Sequence, residues 1–268
     1  MIKGLYTAYT GMINQMNRMD VLTNNLANAD TNGYKKEGAT TQSFDDVYAY
    51  KIKDTSESST YYQDNLGSIT LGVKVGETYT DYSQGSLVET GNTYDVAITG
   101  EGFFAISYSD DDGNTYFKLT RDGAFSVDQD GYLRTKDGDY VLNQDAALDG
   151  DASSDGYILI DPNQETTIDN AGNIYQNGEL VATIGVVDIE DYDYIEKFGE
   201  NMYQLVDGAE ITDSDAGVEQ GYIETSNVQV VSEMVDMITV ARAYESNQKL
   251  IQTIDSMIGT TVTQVGRL

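Results

Sequence analysis

Acidic side chains are the groups in this sequence that could do chemistry. The 268 residues hold 45 acids against 15 bases, and they include no histidine and no cysteine. The usual general base, thiol nucleophiles and zinc sites with His or Cys ligands are therefore missing. Ser126, Asp128, Asp130, Gly131 and Asp137 have the spacing of positions 1, 3, 5, 6 and 12 of an EF-hand loop. A calcium site is one hypothesis for them, and a hairpin turn between two strands is the other.

Carboxylate hydrolysis is the second chemistry that such a composition permits. A glycosidase needs two carboxyl groups about 5–10 Å apart. Glu101 is the most conspicuous candidate, since it lies between Gly100 and Gly102. The competing interpretation is a tight turn before a buried strand at 103–106. No phosphate-binding loop or catalytic triad is recognisable, so the sequence predicts no catalytic residue, cofactor or metal ligand.

Charge is distributed unevenly along the chain. Residues 37–225 hold 8 bases and 39 acids, whereas 1–36 and 226–268 are close to neutral. A net charge of −30 argues against binding to nucleic acid or to an anionic membrane. No stretch approaches the roughly 20 apolar residues of a membrane span, and no secretory signal is recognisable at Met1. If the protein works outside the membrane, we expect another export route.

Heptad spacing at both chain ends predicts the elements that would hold the molecule together. Ser226 to Gln229 fits a capping box, which predicts that a helix starts there and extends towards Leu268. A second helix is predicted from about residue 3 to residue 28. We define the assembly seam as the apolar positions that recur every seven residues in both segments. These are Leu5, Met12, Met19, Leu26, Val230, Met237, Tyr244, Ile251, Ile258 and Val265. Because both ends follow one period, we expect the two helices to pack together as a coiled coil.

Short alternating runs in the middle of the chain predict an antiparallel β body. Three Asp-Gly pairs, at 122–123, 130–131 and 137–138, predict two-residue hairpin turns, as does Asn177-Gly178. The predicted fold class is α+β, with paired terminal helices and a central, mainly antiparallel β domain. The predicted divisions are an N-terminal helix at 1–33, a connector or extended hairpin at 34–75, a β domain at 76–225 and a C-terminal helix at 226–268.

Two terminal motifs and a set of central motifs resemble the axial rod and hook proteins of the bacterial flagellum. Residues 24–35 read NNLANADTNGYK, similar to the pattern NNLAN-x-x-T-x-G-[YF]-K, and residues 226–247 resemble the family's C-terminal signature. The central motifs include GEGFF at 100–104 and TRDGAF at 120–125. The motif positions near the N-terminus are Asn24, Asn25, Leu26, Ala27, Asn28, Thr31, Gly33 and Tyr34.

The resemblance implies a structural role. It implies an inner domain of paired terminal helices around a channel, with the β domain outside it. It also implies unfolded export through the flagellar type III apparatus, helical polymerisation with copies of itself, contact with other rod and hook proteins, and an extracytoplasmic place in the basal body. Rod members with one β domain fit the length better than the longer hook protein does. The alternative function is an acidic extracellular β-protein, either a calcium-dependent adhesin or a cell-wall glycan hydrolase.

Overall fold

The computed structural model describes residues 2–51, 64–110, 113–199 and 201–266. Within them, one helix lies near each chain end and antiparallel strands lie between the two, as the predicted α+β class requires. The chain divides into two compact units. The helical unit comprises Met1–Ala27, Glu37–Asp81 and Gln229–Leu268, and the β unit comprises Asn28–Lys36 and Tyr82–Val228.

The helices are α1 (Ile2–Ala27), α2 (Gln144–Asp149) and α3 (Val230–Val265), with short 3₁₀ turns at Ser154–Gly156 and Tyr192–Tyr194. The strands of the helical unit are β1 (Glu37–Ser43), β2 (Val47–Lys51), β3 (Asp64–Ile69) and β4 (Val73–Thr80). The strands of the β unit are β5 (Leu87–Glu89), β6 (Val96–Thr99), β7 (Phe103–Ser109), β8 (Thr115–Thr120), β9 (Ser126–Val127), β10 (Leu133–Arg134), β11 (Tyr140–Val141), β12 (Thr166–Ile168), β13 (Asn173–Gln176), β14 (Glu179–Thr183), β15 (Val186–Ile189), β16 (Ile195–Phe198), β17 (Met202–Leu205), β18 (Ile211–Asp213), β19 (Gly217–Gln220) and β20 (Tyr222–Glu224).

The predicted start of the C-terminal helix at Ser226 is wrong by three residues. Gln229 is the residue before the first helical turn of α3, and its side chain makes no capping hydrogen bond. The Ser226 hydroxyl instead accepts a hydrogen bond from Val228 N, 3.2 Å away, which closes a local turn. Asn227 is held in the β unit, where its side chain accepts a hydrogen bond from Lys36 N at 2.7 Å. These bonds keep the segment extended until Val230.

Strands β1 to β4 form a long two-stranded antiparallel ribbon in the helical unit. Ser43 pairs with Val73 and Val47 with Ile69, and Phe44 N donates to Gly72 O at 3.1 Å between them. The register at the end of β1–β4 therefore continues into β2–β3, and each strand pair has one irregularity, at Ala39/Thr41 and at Ala49/Tyr50. It packs on α1, where the Asn14 side chain donates to Thr41 Oγ1 at 3.2 Å. Residues 52–63 of the predicted connector lie outside the described part of the chain.

The core of the β unit lies on both faces of β7. This strand pairs with β8, β11 and β15, and its neighbours continue the sheet through β17 and β16 on one side and β10 and β9 on the other. Successive side chains of a strand point to opposite faces. Phe104 accordingly packs with Ile98 and Val186 in one cluster, while Phe103 packs with Leu119 in another.

One of the four predicted two-residue turns is confirmed. Asn177 (φ +52°) and Gly178 (φ +85°) join β13 to β14 in the predicted way. The turns at Gly131 and Gly138 do reverse the chain, but each is a three-residue loop closed by Asp128 with Tyr132 or by Thr135 with Asp139.

The Asp122-Gly123 prediction is wrong, because β8 and β9 do not pair and Gly123 has no positive φ. A Cβ at Gly123 would collide with Val96 O, so this glycine allows two backbone segments to approach closely.

Candidate assembly surface and the terminal motifs

The assembly seam positions lie half-buried along α1 and α3. This holds for all of them except Val265, whose side chain lies outside the described residues. Positions seven apart on a helix differ by only about 20° in direction. The row from Met237 to Ile258 therefore shares a face with the buried Glu233 and Val240. The seam is the partly covered inner face of these helices within one chain.

Three close approaches between α1 and α3 define how the two helices are aligned. A Cβ at Gly4 would lie 3.9 Å from Ile254 Cδ1, and one at Gly11 would lie 3.1 Å from Asn247 Nδ2. Asn25 Nδ2 donates to Glu233 Oε2 at 3.4 Å. In each pair the two residue numbers add to 258, so the helices run antiparallel in a constant register.

This register leaves the end of α3 beyond the start of α1. Ile2, the first residue of α1, lies level with residue 256, and α3 continues to Val265. Val262 continues the seam face there and is 65% exposed, against 3% for Val240 in the paired region. We define residues 257–265 as the α3 overhang.

Large apolar side chains also occupy the outer faces of both helices. We define the α3 patch as Val231, Met234, Val235 and Ile238, which are 76, 45, 57 and 54% exposed. We define the α1 strip as Tyr6, Tyr9 and Met16, each about half exposed. Heptad spacing does not indicate the α3 patch, because a single row of residues seven apart describes only one face of a helix. Its own spacing of i, i+4 and i+7 is the signal that could have indicated it.

Asn25 of the terminal motif joins three segments of the helical unit. It is fully buried; its Oδ1 accepts from Glu37 N at 3.0 Å, and its Nδ2 donates to Glu37 O at 2.8 Å. An asparagine side chain presents the same donor and acceptor as a peptide group, so Asn25 pairs with the first residue of β1 as a strand would. Glu233 contacts it from α3. The heptad pattern places Glu233 outside the apolar stripe, but the residue is fully buried; a hydrogen-bond partner on α1 explains the difference.

The second half of the N-terminal motif belongs to the β unit. Thr31 N donates to Asn28 O at 3.2 Å, and Gly33 N donates to Glu224 O at 2.8 Å. Gly33 has φ +66°, and a Cβ there would collide with the backbone of Arg121. Tyr34 is 1% exposed and stacks under Lys197 Nζ, 4.3 Å from its ring centre. The motif therefore specifies a strap, residues 28–36, that packs into the β unit.

A buried charge cluster anchors this strap. Lys35 Nζ lies 2.6 Å from Glu224 Oε1, and Arg121 Nη1 lies 3.1 Å from Glu224 Oε2, with all three side chains at most 3% exposed. Glu224 Oε1 also accepts from Gly85 N at 2.7 Å. No sequence pattern indicates this cluster, because its members are 86 to 189 residues apart and no spacing rule relates them.

The carboxylates considered for chemistry lie at turns and bends of the β unit. Asp128 pairs with Arg134 at 3.0 Å, beside the loop that joins β9 to β10. The EF-hand flanks are thus strands, and no cluster of three metal-binding side chains occurs among the described residues. Glu101 is exposed and precedes the buried strand β7.

Two aspartates of the β unit have shifted pKa values. Burial raises the pKa of Asp122 above its ordinary value, against the opposing hydrogen bond from Ala124 N. Burial, together with the nearby Asp137, also raises the pKa of Asp139. Both side chains line one shallow cavity of the β unit. Burial makes the ionised carboxylates costly in the folded state, and this cost is why both pKa values are raised.

Comparison with known proteins defines the class. Three family models match: "Flagella basal body rod protein" over residues 5–35, "Flagellar hook protein FlgE/F/G D1 domain" over 97–176 and "Flagellar basal body rod FlgEFG protein C-terminal" over 219–264. Both ends and the middle of the chain are thus similar to axial proteins of the flagellum.

Relatives match over almost their whole length. The flagellar basal-body rod protein FlgG of Buchnera aphidicola (subspecies Schizaphis graminum) is 33% identical, over 96% of this chain and 98% of its own. FlgG of Bacillus subtilis is 32% identical over 96% and 97%, and FlgF of Caulobacter vibrioides is 32% identical over 97% and 98%. The chain belongs to the flagellar basal-body rod protein family. It is a structural subunit of the rod, located in the flagellar basal body.

Family membership also implies assembly with other rod and hook proteins. In the part of the chain that the structure describes, no helix has the length and apolar character needed to cross a membrane.

Proposed function

We propose that this chain is a non-enzymatic subunit that polymerises helically with copies of itself through its terminal helices. It leaves the cell unfolded through the flagellar type III export apparatus and assembles, outside the cytoplasm, into the hollow drive shaft that transmits torque from motor to hook. It inserts into no membrane and binds no nucleic acid. Its two terminal helices, α1 and α3, surround the channel of the assembled shaft.

The observation that carries the proposal is the incomplete burial of the assembly seam. Within one chain α1 covers α3 only to about residue 256, and the exposed Val262 continues the same face. In the proposal α1 and α3 pair as a coiled coil, and neighbouring subunits cover the α3 overhang. Fully burying one such side chain contributes roughly 1.5–3 kcal/mol before ordering costs. A heterologous contact that does not close on itself generates a helical filament.

Filament assembly by the purified full-length chain tests the proposal. Val262→Asp should abolish filaments seen by electron microscopy, whereas Thr263→Asp, on a neighbouring exposed position, should assemble. Ile251→Asp and Met12→Asp should also block assembly, with Gln252→Asp as the exposed control. Circular dichroism and thermal unfolding should show that the β unit stays folded in every variant. Normal filaments from Val262→Asp and Ile251→Asp would overturn the proposed role of the seam.

Limited proteolysis gives a second test on the dilute monomer. We expect cleavage within residues 1–30 and 230–268 and a protected β unit, because helices with uncovered apolar faces are marginal alone. Terminal helices that resist cleavage in dilute monomer would contradict the proposal.

A further inference from the structure

We infer that the α3 patch of one copy binds the α1 strip of another copy. This contact is distinct from the assembly seam, and the inference rests on the proposed self-assembly. The patch comprises Val231, Met234, Val235 and Ile238, and the strip comprises Tyr6, Tyr9 and Met16. Both sets recur at helical spacing on the outer faces, so each presents one continuous apolar row.

One chain cannot bring these two surfaces together. In the observed register Tyr6 and Met16 lie level with residues 252 and 242 of α3, whereas the patch at 231–238 lies level with residues 20–27 of α1. The patch also lies on the side of α3 roughly opposite to Glu233 and Val240, which face inward. Contact between strip and patch therefore requires two molecules.

Charge favours a second copy of this chain as the partner of the α3 patch. It also favours contact of the patch with the α1 strip over contact between two patches. Helix α1 carries Lys3 and Arg18 against Asp20, while α3 carries four acids against two bases. A contact between two α3 helices would join like net charges, whereas α1 against α3 joins opposite net charges. The strongly acidic β units repel one another, so the nearly neutral helices are the faces on which copies can meet.

The pairing predicts an axial offset between the two copies. The middle of the strip lies near residue 11, and the middle of the patch lies level with residues 23–24 of its own α1. The difference of about 12 residues corresponds to roughly 19 Å at about 1.5 Å per residue. A contact with such an offset joins different surfaces of the two copies, as an open helical array requires.

Cysteine cross-linking tests this pairing directly, since the natural chain contains no cysteine. Full-length Tyr9→Cys and Val235→Cys are purified separately, mixed and mildly oxidised, and the dimer is measured on a non-reducing gel. We expect at least tenfold more dimer from the mixture than from either variant alone. The matched control is Tyr9→Cys mixed with Thr253→Cys, an exposed position of α3 outside the patch; it should give only background dimer.

The pairing is supported if Tyr9→Cys mixed with Val235→Cys gives more dimer than either variant alone and more than the mixture with Thr253→Cys. Dimers of Val235→Cys alone at the same yield would overturn it in favour of patch against patch, and equal dimer with Thr253→Cys would overturn the predicted offset. Wild-type filaments without the Tyr9–Val235 product would overturn this inference and leave self-assembly standing. Absence of both filaments and product would overturn the proposed function as well.

Discussion

The helical unit and the β unit differ in how completely they cover their large apolar side chains. The β unit buries Phe104, Leu119 and Val187 completely, and the central part of the chain carries nearly all the excess acid. The helical unit buries Asn25 and Glu233 completely and leaves Val231 at 76% exposure. A unit that closes its apolar core on itself can fold alone, whereas one with apolar outer faces is completed by a partner. The difference separates the folded body from the surface that joins molecules.

Removing the anchor of the strap should have the largest effect. In Glu224→Gln, Lys35 and Arg121 stay buried without their carboxylate. Breaking a buried ion pair from one side costs about 3–5 kcal/mol, so we expect the free energy of unfolding of the β unit to fall by that amount. Urea denaturation measures it. Glu179→Gln, at an exposed position of β14, is the matched control. Equal stability of the two variants would mean that the strap contributes nothing to the β unit.

Removing Asn25 should have a smaller effect and should be confined to the helical unit. Asn25→Ala deletes two hydrogen bonds to Glu37 and one to Glu233 at a buried position. We expect a loss of about 1–3 kcal/mol. Hydrogen exchange should accelerate in α1 and α3, while the amides of β7 and β8 keep their protection. Asn24→Ala, at the neighbouring exposed position, is the control. Faster exchange in the β unit would show that the two units do not unfold separately.

Polar substitution of the α3 patch should barely change stability. Val235 is 57% exposed, and surface substitutions usually stay within about 0.5 kcal/mol. We therefore expect Val235→Ser to unfold like the natural chain in dilute solution but to associate more weakly in sedimentation velocity at high concentration. A large loss of stability in the dilute monomer would mean that the patch is part of the folded core.

Protonation of Asp122 and Asp139 should contribute slightly to the stability of the β unit. The folded-state pKa values of Asp122 and Asp139 are raised, so the native state binds protons that the unfolded chain does not bind until lower pH. The contribution of these two groups to the free energy of unfolding should then rise as pH falls from neutral through the raised pKa values towards 3.8, the ordinary aspartate value, and level off below it. Asp122→Asn should show a shallower rise in urea titrations, and an unchanged slope would contradict the assignment to Asp122.

Local sequence rules were sufficient where one segment decides its own conformation. The seven-residue period predicts α1 within one residue at each end, since 3–28 is predicted and Ile2–Ala27 is observed. Asn177-Gly178 predicts its turn because both residues tolerate positive φ. The same rules fail at Gly123, where the backbone of Val96 approaches closely, and at Ser226, where the next residue, Asn227, accepts a hydrogen bond from the distant Lys36 N.

The pattern of residues was also sufficient to indicate the family, since the motifs at 24–35 and 226–247 are local strings. Only the packing in three dimensions decided which contacts the residues of those motifs make. It divided one motif between two units, with Asn25 holding the helices and Lys35 holding the strap. It also buried the charged Glu233 and exposed the apolar Val231, which is the opposite of what their polarity predicts. Glu233 is tolerated inside because Asn25, from another segment, donates a hydrogen bond to it. Such pairings between distant residues arise from the fold and leave no period in the chain.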